Sequence, residues 1–243
     1  MFVGAGTLIN VVAIVVGAAL GVLMGNRIPE KTRNLMTDVL GAITLIGAAS
    51  AIASLWKKDL TTSVPDGFPI LVVLGSLLIG GLIGSVFKIE DRLENWGESL
   101  KKRFDKGGNS PFVEGFVTAS LIFVIGPLAI LGSISDGMAT GIDQLALKST
   151  LDFFAALAFA AALGWGVALS ALPVGIYQSL WTIAGFILGS ILLDYQVSAM
   201  TATGGVLLLG IGLKLLNIKS IAIGNLLPAL ALAPLLALAA HSL

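Results

Sequence analysis

Lys148 and Asp152 stand four residues apart, so on a helix they share one face and can pair. Asp152 falls a turn or more inside an apolar run, where a carboxylate costs a few kcal/mol on membrane-insertion scales. Such a residue titrates, binds a coupling cation, or is held in an interfacial pair whose lysine stem reaches outward. Lys148 suits an anionic group on a solute, or simply holds Asp152. Glu114 opens another apolar run, with Thr118 and Ser120 behind it. An acid there either complements a helix dipole or takes a proton or cation. Gly126 and Pro127 lie near the middle of the same run. Proline removes a helical hydrogen bond, and the break either bares carbonyls that can ligate an ion or is a kink that shapes packing. Asn225 and Pro228 repeat that theme, with Pro234 further along, while Gln178, Ser179, Thr182 and Asn10 place amides and hydroxyls in other runs. Such amides either join helices or touch cargo.

The elements that must position these residues are helices in a bilayer. The chain is 56% hydrophobic and 12% charged, and its apolar stretches of about 20 residues have no polar face to show water. The spacing predicts spans at 4–25, 38–56, 68–87, 112–134, 147–171, 173–193, 200–216 and 220–240. The expected fold is an all-α polytopic transmembrane bundle of about eight spans (seven if one is miscounted), forming a single membrane domain over 1–243. Pro173 is read as the start of the sixth span, and the seventh reads as short. The N-terminal run reads as a retained span, since no basic region or small-residue cleavage site precedes it.

Basic residues orient the bundle. Arg27, Lys31, Arg33, Lys88, Arg92, Lys101, Lys102, Arg103, Lys106, Lys214 and Lys219 fall on one side; Lys57, Lys58 and Lys148 fall on the other. The positive-inside rule places the larger group in the cytoplasm and both termini outside. Residues 88–106 set Ile89, Leu93, Trp96, Leu100 and Phe104 at helical spacing among charges, which predicts a cytoplasmic amphipathic surface helix. Residues 28–37 read as a shorter version. Lys101-Lys102-Arg103 either attracts anionic lipid or only sets topology.

Glycines at 17 and 21, and at 80 and 84, have the small-xxx-small spacing that lets helix backbones approach, within the bundle or between copies. The two segments match in position and suggest repeated helical units, with a homo-oligomer through glycine-rich faces as a further expectation. The composition also limits chemistry. There is no Cys, His241 is the one histidine, and Lys plus Arg equals Asp plus Glu at 14 each. Thiolate metal sites, histidine triads and a nucleic-acid partner are therefore not expected. HExxH, GxSxG and phosphate-loop patterns are missing from the sequence. No enzyme activity, metal or cofactor is expected.

The run from Phe116 to Ile134 (FVTASLIFVIGPLAILGSI), the run from Gly204 to Leu216 (GGVLLLGIGLKLL), Ile223-Gly224-Asn225-Leu226-Leu227-Pro228, and the opening Gly6-Thr7-Leu8-Ile9-Asn10 together resemble one family. It is the bacterial membrane family catalogued as domain of unknown function 554, and the likeness covers essentially the whole chain. The resemblance implies a prokaryotic cytoplasmic (inner) membrane protein and implies no substrate. The residues themselves point to a secondary transporter of a small ion or polar metabolite. Its site would draw on Glu114, Thr118, Ser120, Gly126, Pro127, Lys148, Asp152, Gln178, Asn225 and Pro228. The alternatives are a channel lined by the same groups, or a membrane scaffold or sensor that meets a partner through 88–106.

Overall fold

The computed structural model describes residues 2–25, 29–104, 111–125, 127–188 and 192–243. Among them every regular element is helical: α1 (Ala5–Gly25), α2 (Glu30–Ile52), α3 (Lys58–Thr61), α4 (Phe68–Val86), α5 (Ile89–Phe104), α6 (Phe112–Val124), α7 (Pro127–Gly137), α8 (Asp143–Leu163), α9 (Gly166–Leu169), α10 (Ala171–Leu188), α11 (Asp194–Leu215) and α12 (Pro228–His241). Among the described residues, seven helical stretches are long and apolar enough to cross a membrane. An eighth crossing exists if Phe112–Val124 and Leu128–Gly137, which meet at 64°, count as one span. Pro127 opens the second half of that pair and has no N–H to continue the ladder of the first.

Most expected boundaries fall within a few residues, and three are corrected. The fifth span ends at Leu163, and the break lies at Gly164 (φ 79°), where only glycine takes the left-handed turn freely. Pro173 instead sits inside the first turn of α10, where a missing N–H is tolerated. The seventh span is not short: α11 begins at Asp194 and has 22 residues. In its first turn Gln196 accepts the Leu193 N–H at 2.9 Å and donates to the Pro234 carbonyl at 3.1 Å, while the buried Tyr195 hydroxyl has no partner among the described residues. Residues 30–37 form the opening of α2 rather than a separate surface helix, because nothing breaks the helix before it enters the span; residue 28 lies outside the described residues. The expected amphipathic segment does form a helix of its own, α5.

The chain folds into two compact bodies. The first holds residues 1–40, 93–124 and 128–191. Its central contact is α1 against α8: a Cβ at Gly17, Gly21 or Gly25 would strike the carbonyl oxygen of Phe153, Leu157 or Ala161 respectively. Both series advance by four, so the helices run parallel with their backbones touching. Antiparallel contacts close the rest, with Gly137 against the Thr182 carbonyl and Gly185 against that of Ile134.

The second body holds residues 41–92, 125–127 and 192–243. Here Gly80 packs on Ala229 and Gly84 on the Asn225 carbonyl, so α4 and α12 run antiparallel. The two glycine pairs that match in sequence thus meet partners of opposite direction, and both faces are covered within the chain. At the far end of α12, His241 Nδ1 lies 2.6 Å from the Ser63 carbonyl oxygen and its ring stacks on Tyr195. In both bodies the interior favours small residues, while Leu23, Leu82 and Phe186 are 63%, 69% and 68% exposed. That inversion suits helices whose outer faces meet lipid.

Candidate functional site

In the first body the parallel packing of α1 on α8 leaves their lower halves apolar and close. Ile14, Ala18 and Ala156 have no exposed surface. Polar groups gather in the halves that begin at Ala5 and Asp143. At the top, the Asp136 carboxylate at the end of α7 accepts the N–H groups of Gly4 (3.3 Å), Gly6 (3.0 Å) and Thr7 (3.4 Å). It thereby satisfies the orphan donors at the start of α1 and complements the helix dipole. The Thr7 and Thr182 hydroxyls lie 3.3 Å apart, and Thr182 donates to the Gln178 carbonyl oxygen.

Deeper in, Lys148 Nζ donates to both oxygens of Asp152, at 3.0 and 2.8 Å, and both residues are buried. Asp152 lies nine residues beyond the start of α8, about 14 Å along the axis. Asn10 Nδ2 completes the carboxylate with a 2.9 Å bond to Oδ2. Several partners are then missing. Asn10 Oδ1, Thr118 Oγ1 and both amide atoms of Gln178 are buried without a hydrogen-bonding partner. Such atoms are rare in folded proteins, and each costs about 1–3 kcal/mol. A groove of about 440 Å³ runs between α1 and α10, lined by Val3, Gly4, Thr7, Val11, Gly175, Ser179 and Thr182 among others. A smaller hollow of about 260 Å³ lies at the top, against Asp136 and Asp143.

The sequence candidates separate. Lys148, Asp152 and Gln178 lie in this column of polar groups. Thr118 and Ser120 are buried on α6 of the same body, where Ser120 donates to the Phe116 carbonyl at 2.6 Å. Glu114 is exposed in the first turn of α6. Pro127 begins α7, and Gly126 lies outside the described residues. Asn225 and Pro228 belong to the second body. There Asn225 Oδ1 accepts the Glu90 N–H at 3.0 Å, and Pro228 is the first residue of α12. Asp136 and Glu90 were not among the sequence candidates for a site, and Asn10 was read as an amide that joins helices or touches cargo without a place in the expected site. For Asn10 the signal was available, as the one amide in the 21-residue apolar helix α1. Glu90 was hidden in a charged run. Among the described residues, no three of His, Cys, Asp and Glu gather as a metal would require.

A model of the family described as "Protein of unknown function (DUF554)" matches residues 5–238. The chain is 29% identical over 238 residues to the uncharacterized membrane protein YdfK of Bacillus subtilis (strain 168), covering 98% of this chain and 97% of the relative. It is 30% identical over 232 residues to the uncharacterized protein YqgA of Escherichia coli (strain K12), covering 94% of each. No solved structure matches the chain.

Proposed function

The chain belongs to the family described as protein of unknown function (DUF554), and we propose that it is a secondary carrier moving a small ion or polar metabolite across the cytoplasmic membrane. The observation that carries this reading is the buried Lys148–Asp152–Asn10 group at mid-span, beside a Gln178 amide with no partner. An ion pair away from water needs full hydrogen bonding to offset its desolvation. This one adjoins polar atoms that a visiting solute or ion can complete, and intramembrane charges characteristically mark such pathways. The apolar, glycine-tight packing below Ile14 supports a route that opens from the Ala5 and Asp143 ends and is sealed beneath. By the positive-inside rule those ends face outward, the basic residues of α5 and Lys214 face the cytoplasm, and both termini are outside.

The test is reconstitution into lipid vesicles and an uptake screen over small ions and polar metabolites, comparing the native chain with Asp152→Asn. Uptake by the native chain that falls at least tenfold in Asp152→Asn supports the reading. Uptake indifferent to the substitution removes Asp152 from the mechanism, and no uptake of any solute refutes the carrier. Because the chain has no Cys, single cysteines at Ser63 and Ser99, labelled from outside, report orientation directly. Labelling is expected at Ser63 and not at Ser99.

A further inference from the structure

Two contacts fix how α1 lies against α10. The Thr7 and Thr182 hydroxyls meet at 3.3 Å, and a Cβ at Gly175 would lie 3.0 Å from Val11 Cγ2. Between these points the antiparallel register brings Asn10 opposite Gln178. Both residues are wholly buried, at 0% exposure. Asn10 gives its N–H to Asp152 and leaves Oδ1 unbonded; Gln178 leaves its whole amide unbonded. Packing alone does not account for two such amides on adjoining helices at one level, because a buried polar atom without a partner is destabilising and apolar residues would fill the same volume.

The chemistry of the atoms present narrows what completes them. Asp152 Oδ1 and Oδ2, Asn10 Oδ1 and Gln178 Oε1 are hard oxygen donors, the kind that alkali and alkaline-earth ions take. Charge selects between those two classes. One carboxylate with neutral amides balances a single positive charge, and among the described residues no three of His, Cys, Asp and Glu gather as a more highly charged ion would favour. That single charge is at present supplied by Lys148, whose ammonium bridges both Asp152 oxygens. Lys148 lies five residues from the start of α8, one turn above Asp152. Its flexible stem can therefore carry the ammonium outward toward exposed Asp143 and the helix end. A groove lined by Thr7, Val11 and Gly175 lies along the same α1–α10 seam.

We propose that Asp152, Asn10 and Gln178 form a binding site for a small monovalent cation, and that the Lys148 ammonium holds the cation's place until one binds. The exchange is electroneutral at Asp152, since one positive charge leaves as another arrives. That the cation drives transport rests on the carrier reading; that it binds does not.

The experiment measures thermal unfolding of the full-length protein in detergent, titrating sodium, lithium or potassium chloride against choline chloride at constant ionic strength. Saturable stabilisation by at least one of the three metal ions is expected. Gln178→Leu and Asn10→Ala should each weaken the apparent affinity by about tenfold, the loss of one polar contact. Asp152→Asn should abolish it. Lys148→Met should tighten binding, because it removes the competitor and leaves Asp152 needing a counter-charge. A merely structural ion pair gives no saturable stabilisation in the native chain. No saturable stabilisation in either the native chain or Lys148→Met overturns the site, and so does Lys148→Met binding no more tightly than native. Should Asp152→Asn fail to fold, the opposed effects of Gln178→Leu and Lys148→Met still decide. Uptake that persists without cation binding overturns this site and leaves the carrier; binding with no uptake of any solute supports the site and refutes the carrier.

Discussion

Each body holds a buried carboxylate paired with a lysine, and the two pairs are built for different ends. In the first body Lys148 and Asp152 lie 2.8 Å apart on one helix, with side chains 8% and 9% exposed. In the second, Lys214 Nζ stands 3.7 Å from Glu90 Oε1, and the lysine side chain is 21% exposed. The larger difference lies in the surroundings. The other Glu90 oxygen accepts the Gly224 N–H at the start of the turn that leads into α12. The Glu90 N–H in turn donates to Asn225 Oδ1. Glu90 and Asn225 therefore stitch the start of α5 to the start of the last span through backbone groups, and the lysine is an accessory. Among the described residues Asp152 bonds no backbone group, only side chains from α1 and α8, and the Asn10 amide that bonds it keeps an unbonded oxygen. A carboxylate engaged by backbone marks architecture. One engaged only by side chains that can move marks a place where partners can be exchanged.

The first way to break this contrast is Glu90→Gln, which carries the largest expected loss of stability. The change puts a neutral amide where a buried charge accepts a backbone N–H, and a hydrogen bond to a charged group contributes about 1.5–3 kcal/mol. The unfolding midpoint should fall accordingly, while uptake per folded molecule stays at the native level. Uptake lost from a protein of native stability would make Glu90 part of the transport machinery and dissolve the distinction.

A second substitution sharpens the contrast from the other side. Lys148→Met together with Asp152→Asn replaces a charged pair by neutral groups of similar size. Such replacements are often neutral for stability, so the double variant should lie within about 1 kcal/mol of native and above either single variant. Uptake should nonetheless be absent. A double variant as unstable as the worse single would show that the pair holds helices together, as at Glu90.

Much of this is legible in the sequence, and the parts that are not share a cause. Spans follow from runs of apolar residues, and the Lys148–Asp152 pair follows from a four-residue spacing on one helix; both signals are local. The break at Pro127 likewise follows from one residue's missing N–H. What escaped needed partners far along the chain. Asn10 reaches Asp152 across 142 positions and Glu90 reaches Gly224 across 134. The glycine spacing announced close packing but could not say that Gly21 meets Leu157 in parallel while Gly84 meets Asn225 antiparallel. The break at Gly164 rather than Pro173 was missed for a different reason. A proline near a helix start is a strong visible signal, and a glycine in a chain with 30 of them is not.

The smallest expected effect tests which bond holds the second-body corner. Lys214→Met removes an ammonium that is partly exposed and 3.7 Å from its partner, a geometry in which a pair contributes about 0.2–1 kcal/mol. The Glu90 carboxylate keeps its Gly224 N–H and the Asn225 amide keeps the Glu90 N–H, so the unfolding midpoint should barely move. The matching change in the first body, Lys148→Met, has no backbone bond to fall back on, and Asp152 is left with Asn10 alone. Its stability should therefore drop further than that of Lys214→Met and be restored by an added monovalent cation, whereas cations should do nothing specific for Lys214→Met. Equal losses in the two variants, with no rescue of either, would mean that both lysines play the same structural part and that burial alone separates the two sites.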